Sequence, residues 1–572
     1  MTGWKKFGVV SMFLAPSLIA LLAFSIGPMF GTLWVSVQEW NLIRPAEFIG
    51  ADNYRELWSD DDFRRALLNT LYYLVGYLPL VIVGGLALAV LVNRKLKGIA
   101  VFRAIYFLPV VTSWVVVALL WKWLLNPSDG LVNWGLGLVG IEGPGWWTSR
   151  TWAMPSVIIA SAWKDLGFVM IILLAGLQAI DETLYEAARI DGASGWRQLR
   201  SITLPLLTPS LFFVVVISLI NGFQVFDQVW VMTEGGPAGS STVVVEQIVK
   251  NTFSYGRAGY AAAQSVVLFV IILLTVHLGG DTATAADVSS VDTPPARQRP
   301  NRRRVRSFVR YAVLVACAVV MVGPFVWMVL ASLKTDADIR AVPPTSIPDP
   351  VTGDNYASVL EAFDFWRFTL NSIGIAIAST VLQLFTASTA AYAFARIEFR
   401  GRGLLFGLYL ATMMIPLQVV VVPLFIEMRN LGLVDTYAGL LLPTVVSSFG
   451  VFLMRQAFLA LPKELDEAAV IDGASHLQIF WRILLPLVKP ALATFAVFAF
   501  MSTWNSFLWP LVITQASDQH VTLPVGLSRL NGRFSTDWNV VMAGSVMSVV
   551  PIVVFYLFTQ RWVIRSVAYT GM

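Results

Sequence analysis

Little in this chain could perform covalent chemistry. It has one cysteine and three histidines in 572 residues. Cys317 lies in an apolar run with no second cysteine to pair with, which excludes an internal disulfide and leaves the redox compartment unmarked. His277, His476 and His520 are too scattered for a metal-ligand cluster, and no nucleophile, base and acid come together around them. The phosphate-cradling pattern Gly-x-x-x-x-Gly-Lys-Ser/Thr is absent, so the chain is expected to carry no cofactor of its own and to draw energy from a partner. Charge is also scarce, at 13% of residues.

What is present is hydrocarbon: 57% of residues are apolar and the mean hydropathy is +0.70, beyond the range of ordinary soluble domains. Backbone groups find no partners in lipid, so long apolar spans are expected to be helices. Twelve can be marked, at 9–37, 71–92, 104–125, 153–176, 206–231, 261–278, 309–331, 370–392, 404–426, 439–458, 491–513 and 541–560. Lys5 and Lys6 precede the first, which is too long for a secretory h-region and reads as a retained span.

Basic residues set the orientation. Arg94, Lys95, Lys97 and Arg103 follow span two, Arg396, Arg400 and Arg402 occupy the matching place in the second half, and Arg561 and Arg565 follow span twelve, while the stretch from Glu39 to Asp62 is acidic. Both termini are expected in the cytoplasm, in a multi-pass protein of a bacterial-type inner membrane. Residues 279–308 are polar, then proline-broken, then arginine-rich. They read as a flexible cytoplasmic tether with a root-mean-square reach of about 30 Å. Its arginines read as the positive flank of span seven, not as a nucleic-acid site.

The stretch "EAARIDGAS" at 186–194 returns as "EAAVIDGAS" at 467–475, and the ungapped alignment of 186–211 with 467–492 holds 14 identities in 26 positions. "NYRELW" against "NYASVL" and "LNT" against "LNS" are fainter echoes. The chain is therefore read as a duplicated six-span module, 1–278 and 309–572. An even span count makes the copies parallel, related by a pseudo-twofold axis along the membrane normal. Each repeated loop falls between the fourth and fifth spans of its half. Alanines favour a short helix, Gly192 interrupts it, Ser194 can cap the next one, and the pairs Pro205 with Pro209 and Pro486 with Pro490 mark the turn into the following span. Small residues allow close approach of another surface, and Glu186 and Asp191 offer charge. A membrane-surface connector needs only amphipathicity, whereas two near-identical loops suggest a symmetric soluble partner.

Glu-Ala-Ala, three residues, Gly, nine residues, Ile, one residue, Leu-Pro, intact at 186–205 and 467–486, resembles the EAA loop of permease subunits from binding-protein-dependent ABC importers. "VMTEGGPAGSST" at 231–242 and "TWNSFLWPLVIT" at 503–514 resemble the carbohydrate-uptake branch, to which the maltose transporter belongs, with an F-like first half and a G-like second half. The resemblance implies an all-α type I importer permease fold. It further implies two separate ABC ATPase subunits holding ATP and Mg, an extracytoplasmic solute-binding protein and a carbohydrate or polyol substrate. It places Glu186, Ala187, Ala188, Asp191 and Gly192, and Glu467, Ala468, Ala469, Asp472 and Gly473, at the ATPase contact. The large external domain of the maltose F-type subunit is missing here, so its contacts do not carry over.

Polar residues in spans usually face a bundle interior. Asn221, Gln224, Asp227 and Gln228 recur at helical spacing in span five, and span eleven holds Trp504, Asn505 and Trp509. Amides, carboxylates and aromatic faces suit sugars, which makes these residues a candidate pathway; interhelical hydrogen bonding is the alternative. Lys164 and Asp165 are adjacent on span four and cannot face each other, so each needs a partner elsewhere. An ion-coupled secondary transporter would need a buried relay of acids or histidines, and an enzyme acting on lipid-linked sugars would need an acid or metal constellation. Neither pattern is visible, while importers of amino acids or peptides stay open.

Overall fold

The computed structural model describes residues 3–93, 96–284, 303–341, 343–413, 415–532 and 536–569, without the side chains of 3–5, 276–284, 303–308 and 561–569. Arg94, Lys95, most of the expected tether and the side chains of His277, Arg561 and Arg565 lie outside these limits. Helix backbone runs to Thr284 and resumes at Arg303.

Eight helices are long and apolar enough to span a bilayer: Lys6–Val35, Asp61–Val92, Ala153–Ala179, Gly195–Phe223, Ala258–Thr275, Val309–Ala331, Phe365–Arg396 and Trp538–Gln560. Four further spans are bent pairs: Ile99–Val111 with Trp114–Leu124 (96°), Arg402–Thr412 with Leu417–Asn430 (95°), Tyr437–Thr444 with Ser448–Leu459 (46°), and His476–Leu487 with Lys489–Trp504 (80°). Counted as single spans they complete the twelve. Hydropathy presents spans three, nine, ten and eleven as continuous and cannot show the breaks, because both limbs of each are apolar. The third span of each copy breaks at the same place and by nearly the same angle.

Each copy builds the same core. In the first, span two lies along spans four and five; in the second, span eight lies along spans ten and eleven. The opening span of each copy packs on its own last span and crosses to the other copy. Span one lies against spans six and nine, and span seven against spans twelve and three. Two equivalent tyrosines fasten the crossings. Tyr106 of span three donates to the Leu314 carbonyl of span seven at 2.7 Å, and Tyr409 of span nine donates to Ser17 Oγ of span one at 3.0 Å. Each module thus covers part of its apolar surface with the other's first helix.

The fainter echoes acquire a physical reason. Asn53 donates to the carbonyls of Ser36 and Gln38, and Asn355 donates to those of Ser332 and Lys334, closing the open carbonyl end of each opening span. Asn69 holds the carbonyls of Gly239 and Thr242 while Thr70 accepts from the Val244 amide. Asn371 holds those of Gln519 and Val521 while Ser372 accepts from the Leu523 amide. These pairs pin the loop that precedes each last span.

Candidate functional site

The first helices of the repeated loops end alike to the level of single hydrogen bonds. In the first, Glu182–Ile190 is helical and ends where the amides of Asp191, Gly192 and Ala193 donate to the carbonyls of Ala187, Arg189 and Ala188. In the second, Glu464–Ile471 ends with Asp472, Gly473 and Ala474 donating to Ala468, Val470 and Ala469. Both endings close through a left-handed residue, Gly192 at φ +73° and Gly473 at φ +79°, a conformation in which Cβ crowds the backbone. The glycines thus have a reason in the chain's own geometry, which close approach of a partner alone did not supply. Ser194 and Ser475 then cap the next helices, their hydroxyls accepting from the amides of Arg197 and Gln478. A π-helical stretch follows in each, Leu199–Thr203 and Ile479–Leu484. The prolines mark a turn only in the second copy, where the 80° bend falls between Pro486 and Pro490; in the first the helix runs unbroken from Gly195 to Phe223.

Glu186, Ala187 and Gly192 are exposed, with Ala188 and Asp191 half-buried; Glu467, Ala468, Asp472 and Gly473 are exposed, with Ala469 buried. Large apolar side chains are exposed beside them at equivalent positions. Ile190 is 62% exposed and Ile471 85%, Trp196 72% and Leu477 47%. Exposed apolar patches of this kind are a common feature of interaction surfaces. The second elbow is braced from span eight, whose Arg396 pairs with Asp466 at 3.2 Å and whose Tyr392 hydroxyl meets His476 Nδ1 at 3.0 Å. Burial pushes the Asp466 carboxyl up, and the charges of Arg396 and His476 oppose that shift. At the first elbow, Asp181 caps the helix by accepting from the Thr183 amide, which holds its carboxyl below the usual range.

Span five does not carry the expected polar stripe on one helix. The helix Leu204–Phe223 stops, Gln224 caps it, and a separate short helix runs Asp227–Met232. Asn221 is exposed, Gln224 and Asp227 are half-buried, and Gln228 is buried and turned back into its own module, where it donates to Tyr73 and Ser161. Span eleven breaks alike, Lys489–Trp504 and then Leu508–Ile513. Trp504 is buried against Phe500, and the Trp509 indole donates to the Gly439 carbonyl at 3.1 Å. Twenty helical residues from Leu204 to Phe223 cover about 30 Å, one hydrocarbon thickness, so these breaks lie toward the face opposite the elbows.

There the two copies meet. Phe226 and Phe507, equivalent in the register of the repeat, stack with centroids 6.3 Å apart and are 1% and 2% exposed. Beside them Asn505 Nδ2 donates across the module boundary to the Val111 carbonyl at 2.9 Å, and Gln418 Nε2 reaches the Gln224 carbonyl at 3.5 Å. The broken end of span three is also held by Lys164, which is 5% exposed and donates to the carbonyls of Pro109 and Val110, both at 3.1 Å. Its ammonium lies over the Trp114 ring, 4.9 Å from the centroid. The neighbouring Asp165 instead accepts from the Tyr77 hydroxyl at 2.7 Å. Lys164 therefore does what a helix C-terminus inside a membrane requires, neutralising a partial negative charge and satisfying carbonyls that water cannot reach.

Two stretches of the chain, residues 81–279 and 383–569, match the family described as the binding-protein-dependent transport system inner membrane component. The chain belongs to that family. It is a fused ABC importer permease, an all-α membrane protein with two copies of the permease module in one polypeptide. The arabinooligosaccharides transport system permease protein AraQ of Halalkalibacterium halodurans is 40% identical over 258 residues, 45% of this chain and 92% of its own. The trehalose/maltose transport system permease protein MalF of Thermococcus litoralis is 36% identical over 263 residues, 46% of this chain and 89% of its own. Each relative thus accounts for about half of the permease. A solved chain of the bacterial alginate ABC transporter, in complex with an alginate pentasaccharide-bound periplasmic protein, aligns at 27% identity over 50% of this chain and 97% of its own, with a TM-score of 0.45.

Sequence reasoning missed Phe226, Phe507, Gln418 and the role of Lys164. The phenylalanines were within reach, because the ungapped register of the repeat, carried further along the chain, sets them opposite each other. Gln418 gave no signal beyond one amide in an apolar run.

Proposed function

We propose that this permease translocates a carbohydrate or related polyol, delivered by an extracytoplasmic binding protein, and that two separate ATPase subunits holding ATP and Mg grip its twin elbows. One observation carries the reading: two glycine-terminated helices, alike in the hydrogen bonds that end them, each with an exposed glutamate and an exposed isoleucine. Helices that are apolar, exposed and duplicated fit a two-fold soluble motor. Lys97, Arg103, Arg396, Arg400 and Arg402 favour a cytoplasmic position for the elbows and both termini. The names of the sugar-transport relatives favour a carbohydrate.

In the mechanism, Phe226 and Phe507 close the pathway at its outer end while the ATPases stand apart. ATP does work only if the closed ATPase dimer fits the outward-open permease better than the outward-closed one. The elbows are stiff enough to pass that preference on, because a helix closed by an αL glycine and followed by a capped helix has few soft torsions. Opening separates the modules at the Phe226–Phe507 contact, and the solute enters between them.

The test is purification of the intact complex from its host. Two ATPase chains crosslinking to cysteines at 190 and 471, and uptake of a labelled oligosaccharide that requires ATP, are expected. Uptake that survives ATP depletion, or crosslinks from only one elbow, would refute the reading.

A further inference from the structure

Two of the amides that bridge the modules share an oddity. Asn505 and Gln418 each use the N–H side of the amide to reach a carbonyl of the opposite module. In each, the oxygen side, Oδ1 of Asn505 and Oε1 of Gln418, is buried without a hydrogen-bond partner among the described residues. Other buried polar atoms also lack a partner among the described residues, but these two flank the same stacked pair, Phe226 and Phe507. A buried acceptor without a protein partner is costly to keep, and apolar residues of the same size would bridge helices without that cost. Amides are retained where the oxygen has a partner in another state. That partner must donate, must come and go, and must arrive when the modules part. A hydroxyl-rich solute meets all three conditions.

We propose that Gln418 and Asn505 are specificity-determining contacts of the second module, their amide oxygens accepting hydrogen bonds from two hydroxyls of the transported solute once the outer closure opens. The proposal rests on the carbohydrate reading above. Opening breaks the N–H contacts to Val111 and Gln224, frees both amides, and turns each oxygen toward the space vacated by the phenylalanines. A site built to hydrogen-bond a hydroxyl rejects analogues lacking it more strongly than an apolar pocket rejects a missing methylene. The solute then interacts with both copies, because Asp227 and Gln224 come from the first and Gln418 and Asn505 from the second.

The test uses the intact complex, purified from its host and reconstituted in liposomes, with labelled trehalose, maltotriose and arabinotriose as probes. For each probe carried, its singly deoxygenated analogues are compared in the wild type, in Asn505→Leu and in Gln418→Met. Wild-type uptake efficiency is expected to fall about five- to tenfold for at least two deoxy positions, and each variant is expected to abolish one of those penalties while raising KM for the parent sugar by a similar factor. Asn505→Ser, smaller and still polar, replaces the leucine variant if that one fails to reach the membrane. Deoxy penalties unchanged in the variants would overturn the proposal and leave the carbohydrate reading standing. Failure of the wild type to carry any of the sugars would overturn both.

Discussion

Phe226 and Phe507 occupy the same place in the two copies of the repeat and stack on one another, 6.3 Å between centroids. A contact between equivalent residues of a duplicated chain lies on the axis that relates the copies, as in an isologous interface. In the proposed cycle it is a contact that separation of the modules would break. In the proposed cycle the elbows act on this contact through the spans that join them, an element that is unbroken from Gly195 to Phe223 in the first copy and bent by 80° in the second.

Replacing either elbow glycine tests that element. Gly473 has open space around a built Cβ, so Gly473→Val meets no clash within the chain and its cost is the left-handed backbone, about 1–2 kcal/mol. Asn tolerates this conformation. Uptake and solute-stimulated ATP hydrolysis are expected to fall more than about tenfold in Gly192→Val and Gly473→Val, and to stay near wild type in the Asn variants, with membrane insertion normal throughout. Equal loss in the Val and Asn variants would show that contact with the partner, not backbone shape, selects glycine.

Glu186→Ala and Glu467→Ala remove exposed side chains, so the permease itself is expected to keep its stability within about 0.5 kcal/mol. Recovery of ATPase subunits on affinity purification is expected to drop in each variant and to vanish in the pair. A thermal shift of the isolated permease with ATPase binding intact would contradict the assignment.

Lys164→Met removes the buried ammonium that donates to the carbonyls of Pro109 and Val110 and leaves Pro109 only the Thr112 amide, a cost of about 1–3 kcal/mol. Thermal unfolding in detergent is expected at lower temperature, accompanied by ATP hydrolysis that no longer depends on binding protein, because the loosened break opens unprompted. Lys164→Arg keeps charge and donors and is expected to restore most of both. Undiminished stability in Lys164→Met would mean that the break finds its partners elsewhere.

Asn53→Ala and Asn355→Ala test whether the duplication is mechanical as well as historical. Each removes a side chain that holds two carbonyls at the end of an opening span. The two variants are expected to lose similar stability, about 1–3 kcal/mol, measured by denaturation of the reconstituted permease. A large loss in one and none in the other would contradict equivalent roles.

Much of this architecture is legible in the amino-acid sequence. The span count, the parallel copies and the shape of the elbows follow from periodic apolarity, an even number of crossings and the glycine and serine in a repeated loop. The broken spans are not legible. The bend at Thr112–Ser113 lies between two limbs that hydropathy scores alike, and it exists because Lys164 and Asn505, remote in sequence, satisfy the carbonyls it exposes. The polar stripe misleads for a related reason: Asn221, Gln224, Asp227 and Gln228 keep helical spacing across a point where the helix stops. Crossing of the opening spans is equally hidden, since Tyr106 and Tyr409 bond to the other copy and nothing local reports it.

Disulfide trapping across the axis tests the central claim most directly. With Cys317→Ala, Phe226→Cys and Phe507→Cys in the intact complex, crosslinking is measured first without nucleotide and then with ATP and vanadate. A high yield without nucleotide that falls at least about fivefold in the trapped state is expected, corresponding to a shift of about 1 kcal/mol or more between the two arrangements. An equal yield in both states, or no crosslink in either, would contradict the account that the two copies part at this contact when the motor closes.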